Sequence, residues 1–257
     1  ELLEDAIESS IKSQMLSDVP LGAFLSGGID SSLIVAKMQK LSSKKIKTFT
    51  IGFEDKDYDE SLFAKAVSDH FKTNHFTMNV TEEDALQVIK SLPDIFDEPF
   101  ADSSQIPTYL VSKAAQEEVS VILSGDAGDE IFGGYNRYIW VPRLWKFIKF
   151  VPLFIRRFFL RIIISIKIST WNKMLSNFSI NRPGEKLHKF AEAMVDAKSS
   201  QHLYFNILRQ WKNPENLIKQ MPKNTKKNYF FDDTKLKTPK NLSDSEQMMF
   251  FDSLSYL

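Results

Sequence analysis

At 257 residues and 43% apolar side chains, the chain is long enough to bury a sizeable core, as one large domain or as one domain with a helical lobe. It contains no cysteine, which excludes disulfides, thiolate metal sites and a catalytic thiol within these residues. Its 33 Lys/Arg balance 33 Asp/Glu, yet residues 1–136 hold 11 basic and 24 acidic side chains and residues 137–257 hold 22 and 9, so the first half is no nucleic-acid surface.

An amphipathic helical pattern opens the chain. Strand-like runs follow near 21–26, 46–53, 74–79 and 119–124, each short and rich in Val, Ile, Phe or Thr. Helical periodicity lies between them. Helix starts are expected at Asp59, at Thr81 with Asp84 three residues on, and at Ser103, the last helix running to about 117. Alternation of this kind predicts a parallel sheet covered on both faces. After 135 the strand signals fade and mostly helix is expected. Residues 140–173 carry eight Lys/Arg and no acid, interleaved with Trp145, Phe147, Phe150, Phe154, Phe158 and Phe159. Such a helix can lie on an anionic membrane, or pack its apolar face on the core while its charges snorkel outward. Packing, without membrane contact, is the expectation. The basic, proline-bounded stretch Pro222 to Pro239 reads as a loop. His70, His75, His188 and His202 are scattered and form no spaced metal set. With no signal-peptide pattern and no 18-residue uncharged apolar run, a cytoplasmic location is expected.

The most informative residues are Ser26-Gly27-Gly28-Ile29-Asp30-Ser31-Ser32, between the first strand and a helical run from Leu33 to Leu41. A glycine pair there lets the backbone turn tightly and approach a ligand. The helix start presents unpaired N–H groups and the positive end of its dipole. Ser26, Ser31 and Ser32 add hydroxyls. Together these make an anion cradle suited to pyrophosphate, and Asp30 within it suggests a magnesium ligand. The Walker pattern is excluded, because no lysine follows Gly28 before Lys37. The bland alternative is a Ser/Gly-rich turn. A second strand ends in Ser124-Gly125, followed by Asp126, Asp129 and Glu130 and then Ile131-Phe132-Gly133-Gly134-Tyr135. Clustered carboxylates repel one another unless a cation sits among them. They also occur as a solvated helix start, where acids are favoured. In an open α/β sheet, both loops would lie at the same carboxyl edge.

The first run resembles the SGGxDS loop of the ATP pyrophosphatases. Together with the second, it resembles the synthetase domain of glutamine-hydrolysing asparagine synthetases. Further matches are Ser17-Asp18-Val19-Pro20-Leu21-Gly22, Thr48 to Phe53, Tyr58-Asp59-Glu60-Ser61, Thr73-Asn74-His75, Asp97 to Ser104, Pro107 to Leu110 and Met248 to Asp252. The similarity is dense from about 17 to 138 and thin from 140 to 240. The resemblance implies a doubly wound parallel sheet of the ATP-pyrophosphatase (adenine nucleotide alpha hydrolase-like) type, over 1–138. A mainly helical lobe of the same synthetase domain would follow over 139–257.

By that resemblance, Ser26, Gly27, Gly28, Asp30, Ser31 and Ser32 bind the pyrophosphate part of ATP. Leu25, Ile51, Ser124 and Gly125 match positions that line the adenosine. Asp30 and Asp129 would bring Mg2+ and share in catalysis. Asp126 stands at the position proposed to bind ammonia or accept its proton, where the best-known members have Glu. The implied reaction adenylates the side-chain carboxylate of aspartate and transfers ammonia, giving asparagine, AMP and pyrophosphate. The Asp variant is also similar to amidotransferases of surface-polysaccharide clusters, so another carboxylate, such as a sugar acid, stays open. β-Lactam synthetases share the adenylation but lack the acid at 126. NAD- and GMP-synthetase-type enzymes share SGGxDS but not the Gly-Asp-Glu-Ile-Phe-Gly-Gly-Tyr run. A non-catalytic nucleotide-binding module is the remaining alternative. The family's glutaminase domain, with its N-terminal cysteine, and a lysine expected a few residues past Tyr256-Leu257 fall outside these residues. A fragment of this extent is therefore expected to be weakly active at best. A homodimer of the full-length protein is compatible with the resemblance.

Overall fold

The computed structural model describes residues 1–55, 59–97, 102–176, 181–209, 239 and 241–255. Tyr58, residues 98–101 and Tyr256-Leu257 lie outside the described residues, as does the expected loop before Pro239. Contacts divide the chain into two compact units, Glu1–Gly128 and Asp129–Leu257.

In the first unit, helix α1 (Leu2–Gln14) precedes β1 (Leu21–Phe24), α2 (Ile29–Leu41), β2 (Lys47–Phe53), α3 (Ser61–Phe71), β3 (Asn74–Val80), α4 (Glu82–Ile95), α5 (Gln105–Gln116) and β4 (Val121–Leu123). The strands form one sheet in the order β3-β2-β1-β4, and every pairing is parallel. Side chains alternate across a strand, and the two faces acquire separate cores. Ala23 and Leu123 join Ile11, Val35, Met38 and Ala64 on the side of α1–α3. Phe24, Phe49, Phe76 and Ile122 join Val111 and Ala115 of α5. Val80, Val88 and Leu110 extend that second layer over α4. The sheet is thus wound on both faces, as the alternating pattern predicts.

Local sequence explains the element boundaries. Thr81 caps α4 by accepting from the Asp84 amide, while the Asp84 carboxylate accepts from the Thr81 amide at 2.9 Å. This reciprocal pair satisfies two donors that the helix end leaves free. Helix α3 begins two residues after the expected Asp59, whose carboxylate accepts from the Ser61 amide at 3.0 Å. Hydrogen bonding from the Ser61 side chain, and then from its amide, holds the Asp59 carboxyl below the usual carboxylate range. Helix α1 is held to α2 by buried Lys37, whose Nζ donates to Glu4 Oε1 at 2.6 Å and Glu8 Oε2 at 3.0 Å.

The second unit is helical among its described residues. It comprises most of the short α6 (Gly128–Phe132), then α7 (Arg137–Ile148), α8 (Leu153–Ser165), α9 (Ile168–Met174), α10 (Pro183–Met194), α11 (Ser200–Leu208) and α12 (Asp244–Ser255). Tyr138, Val141, Leu160, Ala191, Met194, Leu203, Tyr204, Met248 and Phe251 form its core. Helix α8 departs from the expected packing. Leu160, Ile163 and Ile164 do face the core, but so does Arg156, only 7% exposed, which donates to the Ala197 carbonyl. Phe154, 73% exposed, and Phe158 face outward together with Phe147 and Phe150 of the preceding corner. The run has more apolar residues than one helix face can bury, so some of the aromatic side chains remain outside. Among the described residues, no helix is long and apolar enough to cross a membrane.

Candidate active site

The reversal of strand order lies at β1, which pairs with β2 on one side and β4 on the other. Loops leaving two strands at such a point diverge to opposite faces and open a crevice at the carboxyl ends. The register Leu21↔Val121, Gly22↔Ile122, Ala23↔Leu123 brings residues 25–28 and 124–128 out side by side.

The first loop is built by its own residues. The Leu25 amide donates to the Phe49 carbonyl at 2.9 Å, which holds the strand end in the sheet. Gly27 adopts φ +83°, a conformation that side chains resist, and a Cβ there would lie 2.6 Å from the Phe63 backbone. The opening of α3 therefore supports this loop from behind, a contribution that the sequence pattern did not reveal. Ser26 Oγ accepts from the Gly28 amide at 3.2 Å and lies 3.0 Å from Ser31 Oγ, which also accepts from the Ser26 amide. Gly28 caps α2 with no side-chain acceptor for the helix amides. Ser32 Oγ is buried and has no hydrogen-bond partner in the structure. A buried hydroxyl left unmatched is costly, and it lies in the first turn of α2, where the backbone amides favour anions.

The second loop closes on the first. A Cβ on Gly125 would lie 2.7 Å from the Ser31 amide nitrogen, and one on Gly128 would lie 2.5 Å from Asp30 Cγ. Both glycines are thus required by close approach rather than by turn conformation. Between them Ala127 holds φ +72°, the left-handed region that costs a non-glycine residue about 1–2 kcal/mol. Such strain concentrates at functional sites. Ser124 Oγ donates to Asp126 Oδ2 at 2.9 Å, so this hydroxyl orients the Asp126 carboxylate.

The residues expected for ATP, and Asp126 expected for ammonia, are thereby separated by environment. Ser26, Gly27, Gly28, Asp30, Ser31, Ser32, Ser124, Gly125 and Asp126 are in or beside the paired loops. The Leu25 side chain is instead buried in the α1–α3 core, and only its backbone reaches the loop. Ile51 lies two residues past the β2 partner of Phe24, partly buried against Val80, Val88 and Leu110. A cleft of about 560 Å³ on the opposite sheet face, lined by residues such as Phe49, Met78, Tyr109 and Lys113, includes none of the loop residues.

In the second unit, Asp129 lies in the first turn of α6, and its carboxylate rests against Gly134, so that a side chain there would push it aside. Glu130 beside it is only 4% exposed and accepts from Tyr135 OH at 2.8 Å. Burial, then that bond, pushes the Tyr135 phenol above its ordinary range. Among the described residues, no three His, Cys, Asp or Glu converge as a protein-only metal cage. Magnesium beside a nucleotide needs only one or two carboxylates, the phosphates supplying the rest. Asp30, lying against the second loop, suits that donor set.

An asparagine synthase family profile matches residues 2–257. The chain is 48% identical over 157 residues to a putative asparagine synthetase [glutamine-hydrolyzing] 2 of Methanocaldococcus jannaschii, covering 61% of this chain and 29% of that protein. It is 41% identical over 136 residues to asparagine synthetase [glutamine-hydrolyzing] 1 of Bacillus subtilis, covering 53% and 21%. It is 31% identical over 151 residues to asparagine synthetase B [glutamine-hydrolyzing] of Escherichia coli, covering 52% and 26%. The matched stretch thus spans about a quarter of each relative's length.

Proposed function

The chain belongs to the asparagine synthase family, and from that premise we propose that it is the ATP-using synthetase part of a glutamine-hydrolysing amide ligase acting on aspartate. The observation that carries this reading is the pair of glycine-tight loops at the sheet's switch point, with a buried, unmatched Ser32 hydroxyl at the helix start. The loops with their α/β core, residues 1–138, would bind the nucleotide, and 139–257 would complete the synthetase domain. A glutaminase domain elsewhere in the protein would supply ammonia, as the names of the relatives suggest.

The cradle amides and the hydroxyls of Ser26, Ser31 and Ser32 would hold the pyrophosphate portion of ATP. A β-carboxylate oxygen of aspartate attacks the α-phosphorus, and the bond to the bridging oxygen breaks as pyrophosphate leaves. Ammonia then adds to the acyl carbon of the adenylate, loses a proton and expels AMP. Asp126, oriented by Ser124, would take that proton. Asp30 and Asp129 are the carboxylates that the family resemblance assigns to Mg2+, which when bound would supply positive charge against the departing pyrophosphate. Asp126 carries one methylene fewer than the Glu of the best-known members, which leaves room for a bulkier carboxylate such as a sugar acid. This keeps a second acceptor class in view.

The test is ATP–pyrophosphate exchange by the full-length protein across a panel of carboxylic acids. Exchange driven by aspartate is the expected result. Exchange driven only by another acid would move the substrate, and none with any acid would leave a nucleotide-binding module. Asp30→Ala should raise the Mg2+ requirement of that exchange and cost several kcal/mol of transition-state stabilisation. An unaltered Mg2+ dependence would remove Asp30 from the metal site.

A further inference from the structure

A buried carboxylate stands in the second unit, far along the chain from the acidic motif. Asp252 of α12 is 1% exposed. Its Oδ2 accepts from Arg137 Nη2 at 2.8 Å, from Tyr138 OH and from Tyr204 OH. Arg137 Nε donates in turn to Tyr204 OH at 3.1 Å. The guanidinium carbon stands 3.6 Å from the centre of the Tyr135 ring. Tyr135 OH then donates to Glu130, which adjoins Asp129 on α6.

Stability alone does not account for this arrangement. Apolar side chains of similar volume commonly hold a core as well as or better than a buried ion pair. What such a network provides is a single geometry, because its hydrogen bonds converge on the buried Asp252 and Glu130 carboxylates and are given up if a member turns away. Here the chain of contacts begins on α12, crosses α7 and ends on α6, which carries two of the motif's three acids.

We infer that Asp252 is a positioning residue: through Arg137 and Tyr135 it fixes Glu130, and with it the acidic helix α6 that presents Asp129. The inference rests on the reading above for its consequence in catalysis, but not for its geometry. Glu130 then has a role distinct from its two acidic neighbours. It anchors the helix and leaves metal and proton work to Asp129 and Asp126.

Two readouts on the full-length protein separate the possibilities. The first is amide hydrogen exchange over residues 128–134, which needs no activity. Tyr135→Phe removes one hydroxyl and keeps the ring beside Arg137, while Asp252→Asn removes the charge. Both should speed exchange there about tenfold or more, the scale expected when a charged group loses a hydrogen bond. The second is the Mg2+ concentration that half-activates ATP–pyrophosphate exchange, which should rise in both variants with a smaller change in the KM for ATP. The double variant should be no worse than Asp252→Asn alone, because the two act along one path. Unchanged exchange at 128–134 in Tyr135→Phe would overturn the inference, as would strictly additive effects on Mg2+ activation. Should Asp252→Asn fail to fold, Tyr135→Phe alone decides by the same two measurements. A wild-type protein that gives no pyrophosphate exchange would count against the proposed function, and hydrogen exchange would still decide the anchoring.

Discussion

Single atoms decide how the two loops meet. Gly128 leaves room for the Asp30 carboxylate, and a methyl group there would lie 2.5 Å from its carboxyl carbon. Gly128→Ala should therefore displace Asp30 and weaken ATP binding in a calorimetric titration, at an overpacking cost of about 1–3 kcal/mol. Ala127→Gly is its counterpart. It relieves a left-handed backbone and should raise the melting temperature modestly, worth up to about 1 kcal/mol. A lowered melting temperature in Ala127→Gly would show that the left-handed backbone is not strained, and unchanged ATP binding in Gly128→Ala would show that the close approach to Asp30 is not needed. A different residue sets a pH dependence. His75 Nδ1 lies 2.9 Å from Thr48 Oγ1, and its Nε2 is buried without a partner in the structure. Burial lowers its pKa below the ordinary 6.5, and nearby Lys65 adds to the effect. The unfolded chain thus takes up the proton first as pH falls. The stability that neutral His75 confers should be whole above pH 6.5 and decline below it toward the folded value. Melting temperatures from pH 7.5 to 5 should fall less steeply in His75→Gln than in the wild type. Parallel slopes would refute the assignment.

Among the elements, α8 has the least conventional faces. Leu160 points into the second core and Phe158 points away from it. Leu160→Ala should cost about 2–5 kcal/mol in a denaturation series, since it leaves a cavity. Phe158→Ser should change stability by about 0.5 kcal/mol or less, as exposed substitutions do. A large loss in Phe158→Ser would mean that this face is covered in the full-length protein. Caps and turns, by contrast, were readable in advance. Thr81 with Asp84 predicted the start of α4, and the structure has both bonds of the capping box. The orientation of α8 was not readable, because its adjacent arginines part ways, Arg156 being buried while Arg157 and Arg161 are accessible to solvent. Choosing between Leu160 and Phe158 requires the partners on α7 and α10.

At the scale of the whole molecule, the matched stretch spans about a quarter of each relative's length, and we propose that the activity draws on further parts of the full-length protein. Expressed as residues 1–257 and given aspartate, ammonia and Mg-ATP, the chain should bind ATP weakly. It should form amide at least about 10²–10³ more slowly than the full-length protein, the usual cost of one missing charge-stabilising contact. Comparable turnover would mean that the catalytic groups are all present here. Much of the architecture is written locally. Four short β-branched or aromatic runs separated by helical periods suffice for a parallel sheet, because each run must bury both faces. The tight turn within Ser26 to Ser32 is equally legible, since a glycine pair between strand and helix marks backbone that side chains would obstruct, and Gly27 adopts φ +83° there. Tertiary structure alone decided the rest. Which side chains at the strand end stay at the loop and which, like that of Leu25, turn into the core depends on strand register. That Gly27 needs the backbone of Phe63 behind it, and Gly128 the carboxylate of Asp30 beside it, depends on elements that approach only in the folded chain. The link from Asp252 to Arg137 joins residues 115 positions apart, and no local pattern of period 2 or 3.6 carries such a pairing.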